Sequence, residues 1–150
     1  MKIAGNRVSY TLDSTLESVN RAEQTAESMA ARAGFSDDDR HRISMAVREA
    51  AVNAVLHGNA YDPGKKIRVA FENTGDALVI TISDEGPGLC EKDVPDPLAP
   101  ENLLKQSGRG IFLIRSFMDE VRFRTLTPGT EITLIKHVPM HAGEHTEEAK

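Results

Sequence analysis

The stretch that decides the fold is EAAVNAVLHG at residues 49–58, which is followed by DEGPG at residues 84–88 and by GRG at residues 108–110. Glu49 and Asn53 are four positions apart, a spacing that places two side chains on the same face of a helix. A carboxylate beside an amide oxygen can hold Mg²⁺, or it can accept a proton while the amide fixes the metal. Taken alone, such a pair is more often a solvated helix edge, so the neighbouring stretches must decide between these interpretations.

The DEGPG stretch follows an apolar run at residues 78–82 that has the composition of a strand. Asp84 would therefore lie at the end of a strand, and Gly86 and Gly88 would let the backbone approach a flat ligand closely. A carboxylate in that position suits an exocyclic amino group. The alternative is an ordinary tight turn, for which these residue types are also typical.

Gly108, Arg109 and Gly110 stand at the start of a predicted helix. Backbone N–H groups and a cation at a helix N-terminus suit the oxygens of a phosphate. A Gly-x-Gly pattern is a weak signal by itself, and Arg109 could be a surface charge. The three stretches in this order nevertheless combine a carboxylate, a metal ligand, a base-reading acid and a phosphate-facing turn, and together they predict a nucleotide site.

The remaining chain predicts a domain with three helices and five strands. A capping box that begins at Ser14 and the turn former Gly34 bound a first helix at residues 14–33. The other predicted elements are strands at 8–12, 67–71, 78–82, 121–125 and 130–137, a helix running from the Ser36 start signal to about His57, an irregular lid at 89–107, and a helix at 111–118. This order favours an α+β fold, a two-layer sandwich with helices on one face of a mixed, mainly antiparallel sheet. Residues 1–138 form one predicted domain, and residues 139–150 a disordered tail.

Composition excludes several classes of function. The 150 residues are 39% hydrophobic and 5% aromatic, which indicates an aliphatic core of single-domain size. A net charge of −5 opposes general binding to nucleic acid or to an anionic membrane. The single cysteine, Cys90, cannot form an internal disulfide, and no signal peptide or membrane-spanning run is visible. The expected location is the cytoplasm, and the expected partners are proteins or small molecules.

The quoted stretches resemble the Bergerat-fold (GHKL) ATP-binding superfamily, which includes gyrase and the histidine kinases. Residues 49–54 look like its N-box, 84–88 like its first glycine box, 108–111 like its second, and 129–130 like its closing signature on the adenine side. Within the superfamily, the His57-Gly58 pair and the residues at 110–121 resemble bacterial anti-sigma factors with serine-kinase activity. The resemblance covers residues 8–137.

This resemblance implies an ATP- and Mg²⁺-dependent serine/threonine-protein kinase. Its partners would be an anti-anti-sigma factor with a STAS domain, which it phosphorylates, and a sigma factor, which it sequesters. The implied roles are general base for Glu49, Mg²⁺ ligand for Asn53, adenine recognition for Asp84, close approach to the nucleotide for Gly86 and Gly88, contact with the phosphates for Gly108, Arg109 and Gly110, and support of the base for Thr130. A noncatalytic, ATP-gated binding module is the alternative, because fold kinship does not establish catalysis. Self-association into a homodimer is compatible with the same resemblance.

Overall fold

The computed structural model describes residues 7–86 and 106–139, and the side chains of residues 106–109 are outside that description. Its elements, in chain order, are β1 (Arg7–Asp13), α1 (Leu16–Ala33), α2 (Asp37–Val52), a π-helical segment (Asn53–Gly58), β2 (Lys66–Asn73), β3 (Ala77–Ser83), α3 (Gln106–Phe117), β4 (Glu120–Leu126) and β5 (Gly129–His137).

The strands form one five-stranded sheet in the order β1-β2-β3-β5-β4. All four pairings are antiparallel, so the described part of the sheet has no parallel pair, although a mixed sheet was predicted. The pairs β2–β3 and β4–β5 are joined by short connections, as antiparallel strands permit. Helices α1 and α2 lie between β1 and β2 in the chain, and α3 lies between β3 and β4. The helices α1, α2 and α3 contact the sheet from the strands' apolar side, which confirms the predicted two-layer α+β architecture.

The core lies between the helices and one face of the sheet. In β3, Leu78, Ile80 and Ile82 are buried and alternate with half-buried residues that point to the other face. The helices contribute mainly small and branched side chains to the same core, with Ala22, Ala26, Ile43, Val47 and Ala50 among the buried residues. Each large aliphatic side chain buried there contributes about 1.5–3 kcal/mol relative to exposure. The core thereby fixes the position of the central strand β3 and of the residue that follows its end at Ser83.

The capping residues define both ends of α1. Thr15 is its N-cap and its hydroxyl accepts a hydrogen bond from the Ser18 N–H at 3.2 Å. The capping box predicted from Ser14 is therefore wrong, and the helix begins one residue later than that box implies. The Ser14 hydroxyl instead donates to the Lys65 carbonyl, at 2.6 Å. Gly34 ends the helix in the left-handed region with a φ of 93°, as the sequence predicts.

The second predicted helix changes its hydrogen-bond pattern before it ends. Ser36 caps α2 as predicted, accepting from the Asp39 N–H at 3.2 Å. From Asn53 onward the helix widens, and the N–H of Asn59 donates to the carbonyl of Ala54, five residues back, at 2.8 Å. Such π-helical turns are rare in proteins, and those that occur are often found at functional sites.

Two predictions near the glycine-rich stretches have different outcomes. The helix predicted from Ile111 begins at Gln106, so GRG lies inside the first turns of α3 rather than in a turn before it. The predicted lid at 89–107 and the predicted tail lie outside the described residues, apart from residues 106, 107 and 139. Among the helices of the described chain, none combines the length and apolar character needed to span a membrane.

Candidate functional site

Asp84 follows the last residue of β3 and is buried, with 9% of its surface exposed. Its N–H donates to the carbonyl of Thr130 in the neighbouring strand at 3.0 Å. Its carboxylate oxygen Oδ1 accepts the N–H of Gly86 at 2.9 Å. The sequence therefore correctly predicted the position of this acid at a strand end, and the structure places Gly86 and Thr130 on either side of it.

Burial raises the pKa of the Asp84 carboxyl above its ordinary value. Backbone hydrogen bonds from Gly86 and Thr130 and the positive charge of Lys65 oppose that shift, but the loss of water is the larger effect. A partly desolvated carboxylate with free lone pairs gains more from a ligand's N–H donor than a hydrated one does. This environment suits recognition of an amino group.

Three glycines leave the room that Asp84 occupies. A Cβ placed on Gly58 would lie 2.5 Å from the carboxylate carbon of Asp84, and a Cβ on Gly86 would collide with the Gly58 carbonyl. Gly129 has a φ of 114°, and a Cβ there would collide with the Asp84 carbonyl. Three segments therefore pack closely beside the Asp84 carboxylate, with their backbones in direct contact. They are the end of the π-helical segment, the turn after β3 and the start of β5.

A second cluster forms where α2 faces α3. A Cβ placed on Gly110 would lie 3.0 Å from Glu49 Oε1, 3.6 Å from Asn53 Nδ2 and 3.8 Å from Asn53 Oδ1. Both side chains are half-buried, and both converge on the first turns of α3. The Glu-x-x-x-Asn pair is therefore not a solvated helix edge. It faces the glycine stretch that the sequence predicted for phosphate binding.

The π-helical segment Asn53–Gly58 joins the two clusters. Asn53 at its start faces Gly110, and Gly58 at its end touches Asp84. His57, which continues the predicted line from Glu49 and Asn53, is exposed. The segment thus sets the spacing between the carboxylate-amide pair and the buried acid.

The residues at these clusters fit the groups that the resemblance implies. Carboxylate and amide oxygens are hard ligands of the kind that Mg²⁺ takes together with water and phosphate oxygens, and Glu49 and Asn53 present one of each toward Gly110. The described residues contain no cluster of three or more acidic, histidine or cysteine side chains that could bind a metal alone.

Some predicted site residues have no described environment. Gly88 lies outside the described residues, and for Gly108 and Arg109 only the backbone of α3 is described. Their proposed contacts with a nucleotide stay predictions.

Sequence reasoning missed one buried residue of the site. Asn59, with 1% of its surface exposed, makes hydrogen bonds through both ends of its side-chain amide. It lies in a run of turn formers at residues 58–64, which is typical of a segment that redirects the chain and assigns Asn59 no role in a site. The sequence carries no local signal for its burial, because its partners Ser14, Lys66 and Glu85 come from distant parts of the chain.

Comparisons with known proteins point to one family. Residues 12–136 match the model of the histidine kinase-like ATPase domain family. A serine-protein kinase RsbW of Staphylococcus epidermidis is 33% identical over 147 residues, covering 92% of this chain and 91% of the relative. An anti-sigma F factor of Anoxybacillus flavithermus is 32% identical over 122 residues, covering 78% of this chain and 82% of the relative.

Solved structures show the same fold at lower sequence identity. A structure of the RsbU and RsbW domains of a Mycobacterium tuberculosis protein superposes with a TM-score of 0.58 at 20% identity, covering 87% of this chain and 32% of that chain. The catalytic domain of histidine kinase ThkA superposes with a TM-score of 0.57 at 14% identity, covering 87% of this chain and 98% of that chain. By its matched residues and its relatives, the chain belongs to the histidine kinase-like ATPase domain family, within the group of RsbW-type serine-protein kinases and anti-sigma factors.

Proposed function

We propose that this protein is an ATP-dependent serine/threonine-protein kinase and anti-sigma factor. It phosphorylates an anti-anti-sigma partner of the STAS type and sequesters a sigma factor. The observation that carries the proposal is the convergence of Glu49 and Asn53 on Gly110, because phosphoryl transfer requires a positioned acceptor and neutralised phosphate charge. The names of the relatives, serine-protein kinase RsbW and anti-sigma F factor, support the same reading.

The buried acid provides recognition of the nucleotide base. Asp84 accepts from the exocyclic amino group of adenine, while Gly86 and Thr130 hold the carboxylate in place. Thr130 also supports the base side of the site, and Gly88 lets the chain approach the nucleotide. A guanine carbonyl in the same position would face the carboxylate without a proton between the oxygens, so the site favours ATP over GTP.

The pair on α2 acts at the phosphate end. Asn53 is the proposed Mg²⁺ ligand, through Oδ1, and Glu49 is the general base that accepts the proton of the partner's hydroxyl. When bound, Mg²⁺ neutralises charge on the phosphate oxygens. The first turns of α3, with Gly108, Arg109 and Gly110, provide N–H groups and a cation for those oxygens.

The test is transfer of label from γ-labelled ATP to candidate STAS-domain proteins. Glu49→Gln should lower the transfer rate by about a hundredfold or more and leave ATP binding within about twofold, because an amide keeps the shape but accepts no proton. Glu72→Gln is the matched control, because it makes the same substitution at an exposed glutamate that pairs with Arg7 near the C-terminal end of β2. Transfer by Glu49→Gln at the wild-type rate would contradict the assignment of the base.

The second candidate is a noncatalytic module in which ATP only gates partner binding. The same experiment separates the two functions, because a partner that binds the ATP-loaded protein and never acquires label supports the gated module. Sigma-factor sequestration is tested by co-sedimentation of the protein with candidate sigma factors. The sedimentation velocity of the protein alone tests the proposed homodimer.

A further inference from the structure

Asn59 ties together the chain segments that surround Asp84. Its side-chain Nδ2 donates to the Ser14 hydroxyl at 2.8 Å and to the Lys66 carbonyl at 3.0 Å. Its Oδ1 accepts the N–H of Glu85 at 2.8 Å. One buried amide therefore joins the end of β1, the start of β2 and the turn that leaves β3.

The partners of Asn59 determine which way its amide faces. The Glu85 N–H can only donate and the Lys66 carbonyl can only accept, so the oxygen must face Glu85 and the nitrogen must face Lys66. The Ser14 hydroxyl donates its proton to the Lys65 carbonyl and is left to accept from Asn59. Both amide protons and the amide oxygen are used, and an aspartate at this position would oppose an oxygen to the Lys66 carbonyl.

The hydrogen bond to Glu85 acts on the residue next to Asp84. Glu85 is held a second time, because its Oε1 accepts the Lys66 N–H at 2.8 Å. The turn from Asp84 to Gly86 is therefore fixed from the β2 side by Asn59 and Glu85, and from the β5 side by Thr130. With Asn59 removed, the part-buried N–H of Glu85 loses its partner, and the turn loses a constraint one residue from the carboxylate.

We propose that Asn59 is a positioning residue for purine recognition, which holds the Asp84–Gly86 turn so that the Asp84 carboxylate meets the amino group of adenine. This inference rests on the proposed function, since it assigns the way in which the same site distinguishes purines. Asn59 itself touches no nucleotide and acts through the Glu85 backbone. A displaced carboxylate would leave Glu49 and Asn53 in place, so the site would still bind purine nucleotides but would distinguish adenine from guanine less well.

The first measurement is the ratio of the dissociation constants for Mg²⁺–GTP and Mg²⁺–ATP, determined by calorimetry on the full chain. Asn59→Ala should weaken ATP binding by about tenfold and reduce the ratio by a similar factor, because the loss is confined to the contact with the amino group. Tyr10→Phe is the control for lost stability. It removes the 2.6 Å bond between the Tyr10 hydroxyl and Thr25, between β1 and α1, and should leave the ratio within about twofold of the wild type.

A double-mutant cycle tests whether Asn59 acts through Asp84. Asp84→Asn alone should abolish most of the preference for ATP, and adding Asn59→Ala should then change ATP affinity by less than about threefold. Full additivity of the two substitutions would contradict the proposal. An unchanged purine ratio in folded Asn59→Ala would contradict it as well.

Two outcomes separate this inference from the proposed function. Failure of the wild-type protein to bind ATP would overturn both, whereas ATP-selective binding that persists in Asn59→Ala would overturn the role of Asn59 alone. Should Asn59→Ala not fold, Asn59→Ser replaces the amide with one hydroxyl that can still donate and accept a hydrogen bond, and it provides the same test. Its purine ratio should fall between those of the wild type and Asp84→Asn, and a wild-type ratio would count against the proposal.

Discussion

The carboxylate of Asp84 occupies the space that a side chain at Gly58 would need, with 2.5 Å between the Asp84 carboxylate carbon and an ideal Cβ on Gly58. The end of the π-helical segment and the end of β3 therefore meet at a contact that only a glycine permits. The position of the Asp84 carboxylate thus depends on Gly58, the last residue of the π-helical segment that begins at Asn53.

Gly58→Ala should weaken ATP binding by about tenfold or more, because the new methyl group must displace the Asp84 carboxylate from its hydrogen bond with Gly86. Calorimetric titration with Mg²⁺–ATP measures the change. Gly64→Ala is the matched control, since its Cβ would meet only the Asp62 carboxylate oxygen, at 3.3 Å, on an exposed turn. Equal ATP affinities for the two variants would contradict the assigned role of Gly58.

Gly129→Ala should lower the free energy of unfolding by about 3 kcal/mol or more, because it combines an unfavourable φ of 114° with a collision against the Asp84 carbonyl. Gly75→Ala has a similar φ of 96° but open space around it, so we expect a loss of only about 1 kcal/mol. Urea unfolding measures both losses of unfolding free energy, and the difference between them gives the contribution of the collision alone. A smaller loss at Gly129 than at Gly75 would show that β5 does not contact Asp84 as described.

Asp84→Asn should be more stable relative to the wild type at pH 7 than at pH 3. Burial raises the pKa of Asp84 in the folded state above its ordinary value of 3.8, so the fold favours the protonated carboxyl. The stability that the wild type gains from this preference is fully present below the unfolded pKa and is lost as pH rises through the folded one. Because asparagine does not titrate, the stability of Asp84→Asn relative to the wild type should rise between the unfolded-state and the folded-state pKa of Asp84. Above the folded-state pKa, the difference should stay constant. A difference in unfolding free energy that does not vary between pH 3 and 7 would contradict the burial effect.

Ala60 and Tyr61 follow the π-helical segment with φ values of 52° and 59°, which are unfavourable for residues with a Cβ. Ala60→Gly relieves about 1 kcal/mol of this conformational cost and loses about 0.5–1 kcal/mol through the more flexible unfolded chain, so stability should stay constant or rise slightly. Ala31→Gly, at an exposed helical position in α1, should cost about 1 kcal/mol instead. Thermal unfolding of the two variants checks the contrast, and an equal loss from both would remove the basis for strain at Ala60.

The elements with regular apolar spacing were predicted correctly from the sequence. The period-two pattern of β2 and the caps at Ser36 and Gly34 act locally, so one stretch of chain contains the information that sets them. At the start of α1, a hydrogen bond to a distant part of the chain competed with the local signal, and the prediction from sequence was wrong. Ser14 has the right spacing for a capping box, but its hydroxyl bonds the Lys65 carbonyl across the fold, and Thr15 caps α1 in its place.

The sequence could single out the candidate site residues but not their arrangement. Asp84, Glu49 and Asn53 stood out because their residue types and spacings resemble a known nucleotide-binding pattern, and their roles stay predictions. The π-helical segment could not be predicted, since its six residues are too few to show a periodicity of their own. The burial of Asn59 could not be predicted either, because it depends on Ser14, Lys66 and Glu85, which come from distant parts of the chain. Packing around glycines likewise becomes visible only in three dimensions.

The most direct measurement is calorimetric titration of the folded wild-type protein and of Asp84→Asn with Mg²⁺–ATP. The proposed site predicts saturable binding of one nucleotide per chain by the wild type and a loss of affinity of about tenfold or more in Asp84→Asn, whose amide no longer presents a carboxylate to the adenine amino group. No binding heat from the wild type at about millimolar ATP, or equal affinity in the two proteins, would contradict it.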